Sequence, residues 1–333
     1  MANKSLPGKL IVKTGKFVWT TMWQVMMSQL APRNKTGEYI RPQSQFRNRI
    51  SSNSDSYQPA ANRYRLYVGM GCPWAHRTLV TRALKGLEEA ISVSIVYPSS
   101  DSGIWILSEP ELGCITVPKL YQRGLSGYKG RSTVPILWDE QTNTIVNNES
   151  AEIIEILNSQ FNQYARYPDF DLYPEYLKSS IDRWNEKIYH AVNNGVYRCG
   201  FAQTQQAYDI ASKELFSTLD EIDTALATSR YLCGDRPTLA DVRLFTTLFR
   251  FDLVYYGLFK CNLRRVKDYA HLSPYLRDLY QLPGVADTCD PQSVKRDYYG
   301  NLFPLNPGGI IPIGPNVSDL LQPHNRDKIT VTQ

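Results

Sequence analysis

The stretch "YRLYVGMGCPWAHRTLVTRALKGLEEAISVSIVY", residues 64–97, carries three elements in a row. Residues 64–68, "YRLYV", have strand propensity, and Gly69-Met70-Gly71 permits a sharp turn after them. From Pro73 onward Ala75, Leu79, Ala83, Leu84 and Leu87 recur at helical spacing, and Gly86 stands where a C-terminal cap is expected. "ISVSIVY" (91–97) then alternates as a strand. Strand, turn, helix, strand is a βαβ unit, with parallel strands and a right-handed connection.

Outward from this unit, "TVPILWDEQTNTIVNNES" (133–150) places two β-rich runs around the polar turn Glu140-Gln141-Thr142-Asn143. Ile153, Ile156, Leu157 and Phe161 follow at helical spacing, so the N-terminal half reads βαβ plus ββα. From about Tyr173 the strand signals stop. Leu215, Leu219, Ile222 and Leu226 form a single buried helical stripe. Thr238 and Asp241 have the spacing of a capping box, which predicts a helix from there through about Phe251. "HLSPYLRDLYQLPGV" gives another short helix, stopped at Pro283-Gly284, and an irregular tail rich in Gly, Pro and Asn follows. The fold class is therefore α/β followed by all-α. Residues 38–63, polar and without a sustained period, read as a linker or a loop wrapped over the surface.

Composition narrows the function. The 333 residues are 42% hydrophobic, enough to fill real cores, and 37 Lys+Arg against 32 Asp+Glu give only a mild basic excess. Without clustered basic runs, nucleic acid is not an expected partner. The six cysteines lack short paired spacings and the four histidines never pair at i, i+4, so no metal site is expected and a reducing, cytoplasmic setting fits. Near the N-terminus, "LIVKTGKFVWTTMWQVMM" is interrupted by Lys13 and Lys16, unlike a signal peptide or a membrane span, and reads as an amphipathic helix or an arm packed on the body. Its freedom from acidic residues before Glu38 also resembles an organelle transit peptide.

Cys72 is the residue with chemistry. As N-cap, followed by Pro73 at the first helical position, it puts its sulfur against free N–H groups and the positive end of the helix dipole. Both favour thiolate, so its pKa is expected below the free value of about 8.5. Ala75 stands where a second cysteine would complete C-x-x-C, so an outside thiol must resolve any mixed disulfide.

At this point the motifs "GCPWAHRTLVTRALKGLE", "STVPILWD", "IVNNESAEII", "NNGVYRCGF" and "PTLADVRLF", in that order across roughly residues 60–315, resemble the glutathionyl-hydroquinone reductases, the Xi class of glutathione transferases. The resemblance implies a thioredoxin-like N-terminal domain, an all-helical C-terminal domain and a homodimer. It divides the chain into an arm (1–60), a glutathione-binding domain (61–165), a helical domain (170–290) and a tail near the substrate site (291–333). By the same resemblance Cys72 is the nucleophile. Glutathione, as co-substrate, falls to Trp105, Arg131, Val134 before a cis-proline at 135, Glu149 and Ser150. The aromatic substrate falls to Tyr197 and to Tyr298 or Tyr299.

Val117-Pro118 duplicates the Thr-Val-Pro of 133–135, and the second copy is preferred because the hairpin and the Glu-Ser pair follow it. Trp105 stands in Gly-Ile-Trp where the family has Gly-Trp, and residues 106–130 depart from the family's usual sequence. His76 and Arg77 lie one turn into the helix, where packing or surface roles are expected. The implied activity is reduction of glutathionyl-hydroquinones to hydroquinones with release of oxidised glutathione. The alternatives are an omega-like thiol transferase or dehydroascorbate reductase, and a noncatalytic glutathione-binding scaffold.

Overall fold

In the computed structural model, which describes residues 7–329, a helix α1 (Gly8–Leu30) leads through the arm to a six-stranded sheet. The βαβ unit is present as expected. Strand β1 (Tyr64–Gly69), helix α2 (Pro73–Lys85) and strand β2 (Ile91–Pro98) follow one another, and the two strands pair in parallel. Gly86 takes the left-handed conformation (φ 64°) that closes α2, as its cap position requires.

Residues 105–124, unread from the sequence, add a hairpin of β3 (Trp105–Glu111) and β4 (Cys114–Thr116) and a helix α3 (Val117–Gly124). The hairpin turns through Leu112 and Gly113, both at positive φ (53° and 71°). Such a turn is usually marked by Asn-Gly, so a leucine in its first place hides it. The first Thr-Val-Pro starts α3, with Thr116 as its N-cap; the second holds Val134–Pro135 in the cis form.

Strands β5 (Ile136–Asp139) and β6 (Thr144–Asn147) enclose the four-residue turn at 140–143, and helix α4 (Ser150–Ser159) follows. The sheet order is β4-β3-β2-β1-β5-β6, with every pairing but β1–β2 antiparallel. β6 would be a free edge, but the arm covers it: Asn48 N–H donates to the Val146 carbonyl and Asn148 N–H to that of Phe46, each at 3.0 Å.

Helices α5 (Lys178–Ile188), α6 (Gly195–Gly200), α7 (Gln205–Ala225), α8 (Leu239–Arg250) and α9 (Leu272–Tyr280) make the second unit. The stripe Leu215, Leu219, Ile222 and Leu226 is fully buried. At the start of α8 the Asp241 carboxylate accepts both the N–H and the hydroxyl of Thr238 at 2.8 Å. Asp241 also accepts Leu232 N–H and the Tyr275 hydroxyl, so this cap is a buried hub rather than a surface one. The tail is not wholly irregular. Helix α10 (Pro291–Asn301) runs through it, capped by Asp290, with Pro291 in its first turn.

Val80 and Leu84 of α2 and Ile154 of α4 belong to the same core as the helical unit, whereas the other faces of these helices serve the sheet core. The two units therefore share a packed seam along α2, whose first residue directly follows Cys72.

Candidate active site

Cys72 is the N-cap of α2 in extended conformation, with Pro73 at the first helical position. It lies in a cavity of about 860 Å³ that Trp105, Arg131, Val134, Tyr197 and Tyr298 also line. The cysteine sulfur is 3.5 Å from the Val134 carbonyl, which accepts from the thiol. Five of the eight other predicted site residues thus meet around Cys72.

The remaining three do not line the cavity. Glu149 caps α4 by accepting Ala151 N–H at 3.3 Å, and its other carboxylate oxygen accepts from the Ser44 hydroxyl at 3.0 Å. Ser44, from the arm, lines the cavity that Glu149 does not reach. Ser150 is buried, and its hydroxyl faces the Arg77 guanidinium at 3.4 Å. Of the tyrosine pair, Tyr298 faces the cavity. Tyr299, turned about 100° further round α10, directs its hydroxyl toward Gly257 instead.

The two glycines before Cys72 serve close approach, not an unusual backbone angle, since neither takes positive φ. A Cβ at Gly69 would lie 2.4 Å from the Trp105 ring, and one at Gly71 would lie 2.6 Å from Asp297. Gly71 N–H donates to Asp297 Oδ2 at 3.0 Å. From the other side Arg250, at the end of α8, donates Nε to the Gly71 carbonyl (2.8 Å) and Nη2 to that of Met70 (2.7 Å). Its Nη1 reaches His76 Nδ1 at 2.8 Å, so the His76 proton sits on Nε2 and is given to Thr288 at 2.9 Å. Burial and the Arg250 charge hold His76 neutral. Both His76 and Arg77 are buried packing residues.

The expected fall in the cysteine pKa is reversed. Cys72 keeps partial exposure into the cavity, yet protein encloses the sulfur on its other sides, and burial pushes the thiol above its ordinary value. The N–H of Ala75, the guanidinium groups of Arg41 and Arg250, and the N–H of Trp74 pull it down and are outweighed. The pull predicted from the helix start exists; the sequence did not show the burial that opposes it.

In the same cavity, the Tyr197 and Tyr298 hydroxyls bond at 2.6 Å, and Tyr255 reaches Tyr298 at 3.0 Å. Burial raises all three, Tyr255 to about 12, so each stays a neutral phenol able to donate near neutral pH. Trp74 stacks on Tyr197, with ring centroids 6.4 Å apart, and Arg41 from the arm lies 3.9 Å over the Trp74 ring. Sequence reasoning missed Arg41, Trp74, Arg250, Tyr255 and Asp297. Arg250 had a signal, a lone charge within the apolar run "LFTTLFRF". Among the described residues no cluster has the make-up of a metal site.

A thioredoxin-like sheet unit joined to an all-helical unit, with a helix N-terminus presented to the cleft between them, is the architecture of the glutathione transferases. Two family models match accordingly: Glutathione S-transferase, N-terminal domain, over residues 71–160, and Glutathione S-transferase, C-terminal domain, over residues 205–278. The chain is 43% identical to the glutathionyl-hydroquinone reductase PcpF of Sphingobium chlorophenolicum, across 90% of this chain and 94% of that one. The crystal structure of the glutathione-S-transferase Xi from Phanerochaete chrysosporium superposes with a TM-score of 0.83 at 43% identity, covering 87% and 96%. The glutathione-bound structure of YqjG, a glutathione transferase homolog from Escherichia coli K-12, gives 0.79 at 43%, covering 85% and 96%. The chain belongs to the Xi class of the glutathione transferase family.

Proposed function

We propose that this protein is a glutathione-dependent reductase that converts glutathionyl-hydroquinones to free hydroquinones, as the name of its PcpF relative suggests. The observation that carries the reading is the pairing, in one cavity, of a single thiol with two neutral phenols. The thiol takes the sulfur and the phenols serve the ring.

In the first step the Cys72 thiolate attacks the glutathione sulfur of the aryl thioether. The carbon–sulfur bond breaks, its electron pair stays with the ring carbon, and that carbon takes a proton; a Cys72–glutathione disulfide remains. Tyr197 and Tyr298 bind the ring oxygens and support this protonation as acids. In the second step a free glutathione thiolate attacks the glutathione sulfur of that disulfide, releasing oxidised glutathione and the Cys72 thiolate. The ring carbon is reduced and two glutathiones are oxidised, so the electrons balance. Ala75 offers no internal thiol, which leaves the second step to glutathione.

Glutathione is co-substrate, a role supported by the ligand in the YqjG structure. Within the site Val134 pairs its backbone with the cysteinyl part, Trp105 and Arg131 flank the tripeptide, and Glu149 and Ser150 receive its γ-glutamyl end. Glu149 is held by Ser44 of the arm, so that hydrogen bond must yield for it to receive glutathione. The division of the chain follows the same reading: 61–165 binds glutathione, 170–290 and the tail from 291 hold the aromatic ring, and 1–60 is the arm. A cytoplasmic homodimer completes it. The tyrosine pair favours this activity over thiol transfer between small disulfides, which needs no phenol donors.

Glutathionyl-menadiol and glutathione, with hydroxyethyl disulfide and dehydroascorbate as comparison substrates, test the proposal. Ping-pong kinetics on the first, abolished by Cys72→Ser, is the expected result. Turnover that survives this substitution sinks the mechanism, and glutathione binding without turnover of any substrate identifies a scaffold.

A further inference from the structure

Among the described residues, the first turns of α1, ahead of Trp19, bury no side chain against the body. Every residue from Gly8 to Met22 is exposed, and the helix touches the body through the edge of Trp19 on Phe303 and then through half-buried Trp23 and Met26 and buried Met27. The exposed part is not polar: Leu10, Ile11, Phe17, Val18, Trp19 and Met22 all stand in solvent, Phe17 with 73% of its surface free. A helix gains most of its stability from packing an apolar face, so one presented this way calls for a surface to cover it.

Its charge says which surface. Lys9, Lys13 and Lys16 step by four and three and share one stripe, whereas Ile11, Val18, Met22 and Val25 step by seven, four and three along the opposite side. No acidic residue precedes Glu38. A second copy of such a helix would bring no carboxylate to the lysines. A layer of anionic headgroups supplies negative charge along the whole stripe, and its acyl region accepts the aromatic and aliphatic face. Among the described residues no helix is long and apolar enough to cross a membrane, so α1 would lie on the surface and not span it.

We propose that α1 is an interfacial anchor that docks this protein onto an anionic lipid bilayer, with Ile11, Val18, Met22 and Val25 turned into the lipid. The anchor continues into the active-site cavity. Met26, Met27 and Leu30 at its C-terminal end line that cavity, and Trp19 packs on Phe303, another lining residue, at 6.1 Å. The mouth of the site therefore opens close to the bilayer surface. Docking itself stands apart from the proposed chemistry, and its test does not use turnover to detect binding.

The full-length protein is sedimented with vesicles of phosphatidylcholine alone or mixed with phosphatidylglycerol. Each lysine near an anionic surface contributes roughly a fivefold gain in partition, so three give roughly a hundredfold preference for the mixed vesicles, falling as salt rises. Lys9→Gln, Lys13→Gln and Lys16→Gln together should remove that preference. Ile11→Glu with Val18→Glu should abolish sedimentation with either vesicle while the thermal melt and turnover of a soluble substrate stay as in the wild type, which excludes misfolding. Wild-type protein left in the supernatant with mixed vesicles overturns the proposal, as does a double-glutamate variant that pellets like the wild type. Self-association without vesicles that the double-glutamate variant abolishes, in a protein indifferent to lipid, assigns the face to a second copy and also overturns it.

Discussion

Replacing Arg250 by methionine is the sharpest test of how the cysteine is held. The guanidinium is 1% exposed and makes four hydrogen bonds, to the Met70, Gly71 and Thr246 carbonyls and to His76 Nδ1. Methionine fills a similar volume and donates nothing. The Thr246 carbonyl belongs to the preceding turn of α8, so the acceptors stranded by the change are the two carbonyls of the Gly-Met-Gly turn and the imidazole nitrogen. A buried acceptor left unpaired costs roughly 1–3 kcal/mol, giving about 3–9 kcal/mol for three, from which relief of a buried cation must be subtracted. A net loss of about 4 kcal/mol, read from urea unfolding, is expected. The same charge also pulls the Cys72 thiol down, so its removal should move the pH profile of iodoacetamide alkylation to higher pH. Arg250→Lys, which keeps the charge but not the fork, should restore the profile better than the stability. A methionine variant within about 1 kcal/mol of wild type, or with an alkylation profile unmoved, would refute the assignment.

Gly69→Ala should press its new methyl into the Trp105 ring, costing roughly 1–3 kcal/mol and raising the KM for glutathione; adding Trp105→Ala should recover stability, and additive effects would exclude the contact. Tyr197→Phe should lower kcat on glutathionyl-menadiol by roughly a hundredfold or more and barely change reduction of the preformed Cys72–glutathione disulfide, while Tyr299→Phe should leave both near wild type. Burial pushes the Asp297 carboxyl up to about 6, above its unfolded value near 4, so the folded state holds the proton more tightly and this group's contribution to stability falls as pH rises between those values. Asp297→Asn removes that dependence, and its stability relative to wild type should therefore rise from pH 4 to pH 7 in urea titrations; a constant difference would contradict the titration.

The βαβ unit, the 140–143 hairpin and the stripe of α7 were legible because each rests on local periodicity closed by a local signal, such as Gly86 or the polar turn. The β3–β4 hairpin was not, since Leu112 carries a positive φ that the residue type does not advertise. Helix α10 was hidden by its setting in a Gly, Pro and Asn-rich tail, although Asp290-Pro291 followed by Ser293 is a legible cap. Between Tyr298 and Tyr299 the sequence offered no choice, because adjacent helical residues differ only in direction and direction has meaning only once neighbours are known.

The cysteine marks where local reading ends. Its position before Pro73 showed the N–H groups that favour a thiolate, and the structure has them, in the amides of Ala75 and Trp74. Its surroundings come from elsewhere: α8 supplies Arg250 and α10 supplies Asp297, both bonded to the Gly-Met-Gly turn, while Tyr298 of α10 and Arg41 of the arm line the same cavity. These groups lie from about thirty to more than two hundred residues away in sequence, so no window around Cys72 contains them. Two of them nonetheless act in the direction the helix start does. Arg41 and Arg250 bring positive charge to a thiol whose burial favours the protonated form, so each cation offsets part of the cost of forming the thiolate. The arm that supplies one of these cations also lines the cavity through Ser44, so a single segment distant in sequence shapes both the charge around Cys72 and the wall of its cavity.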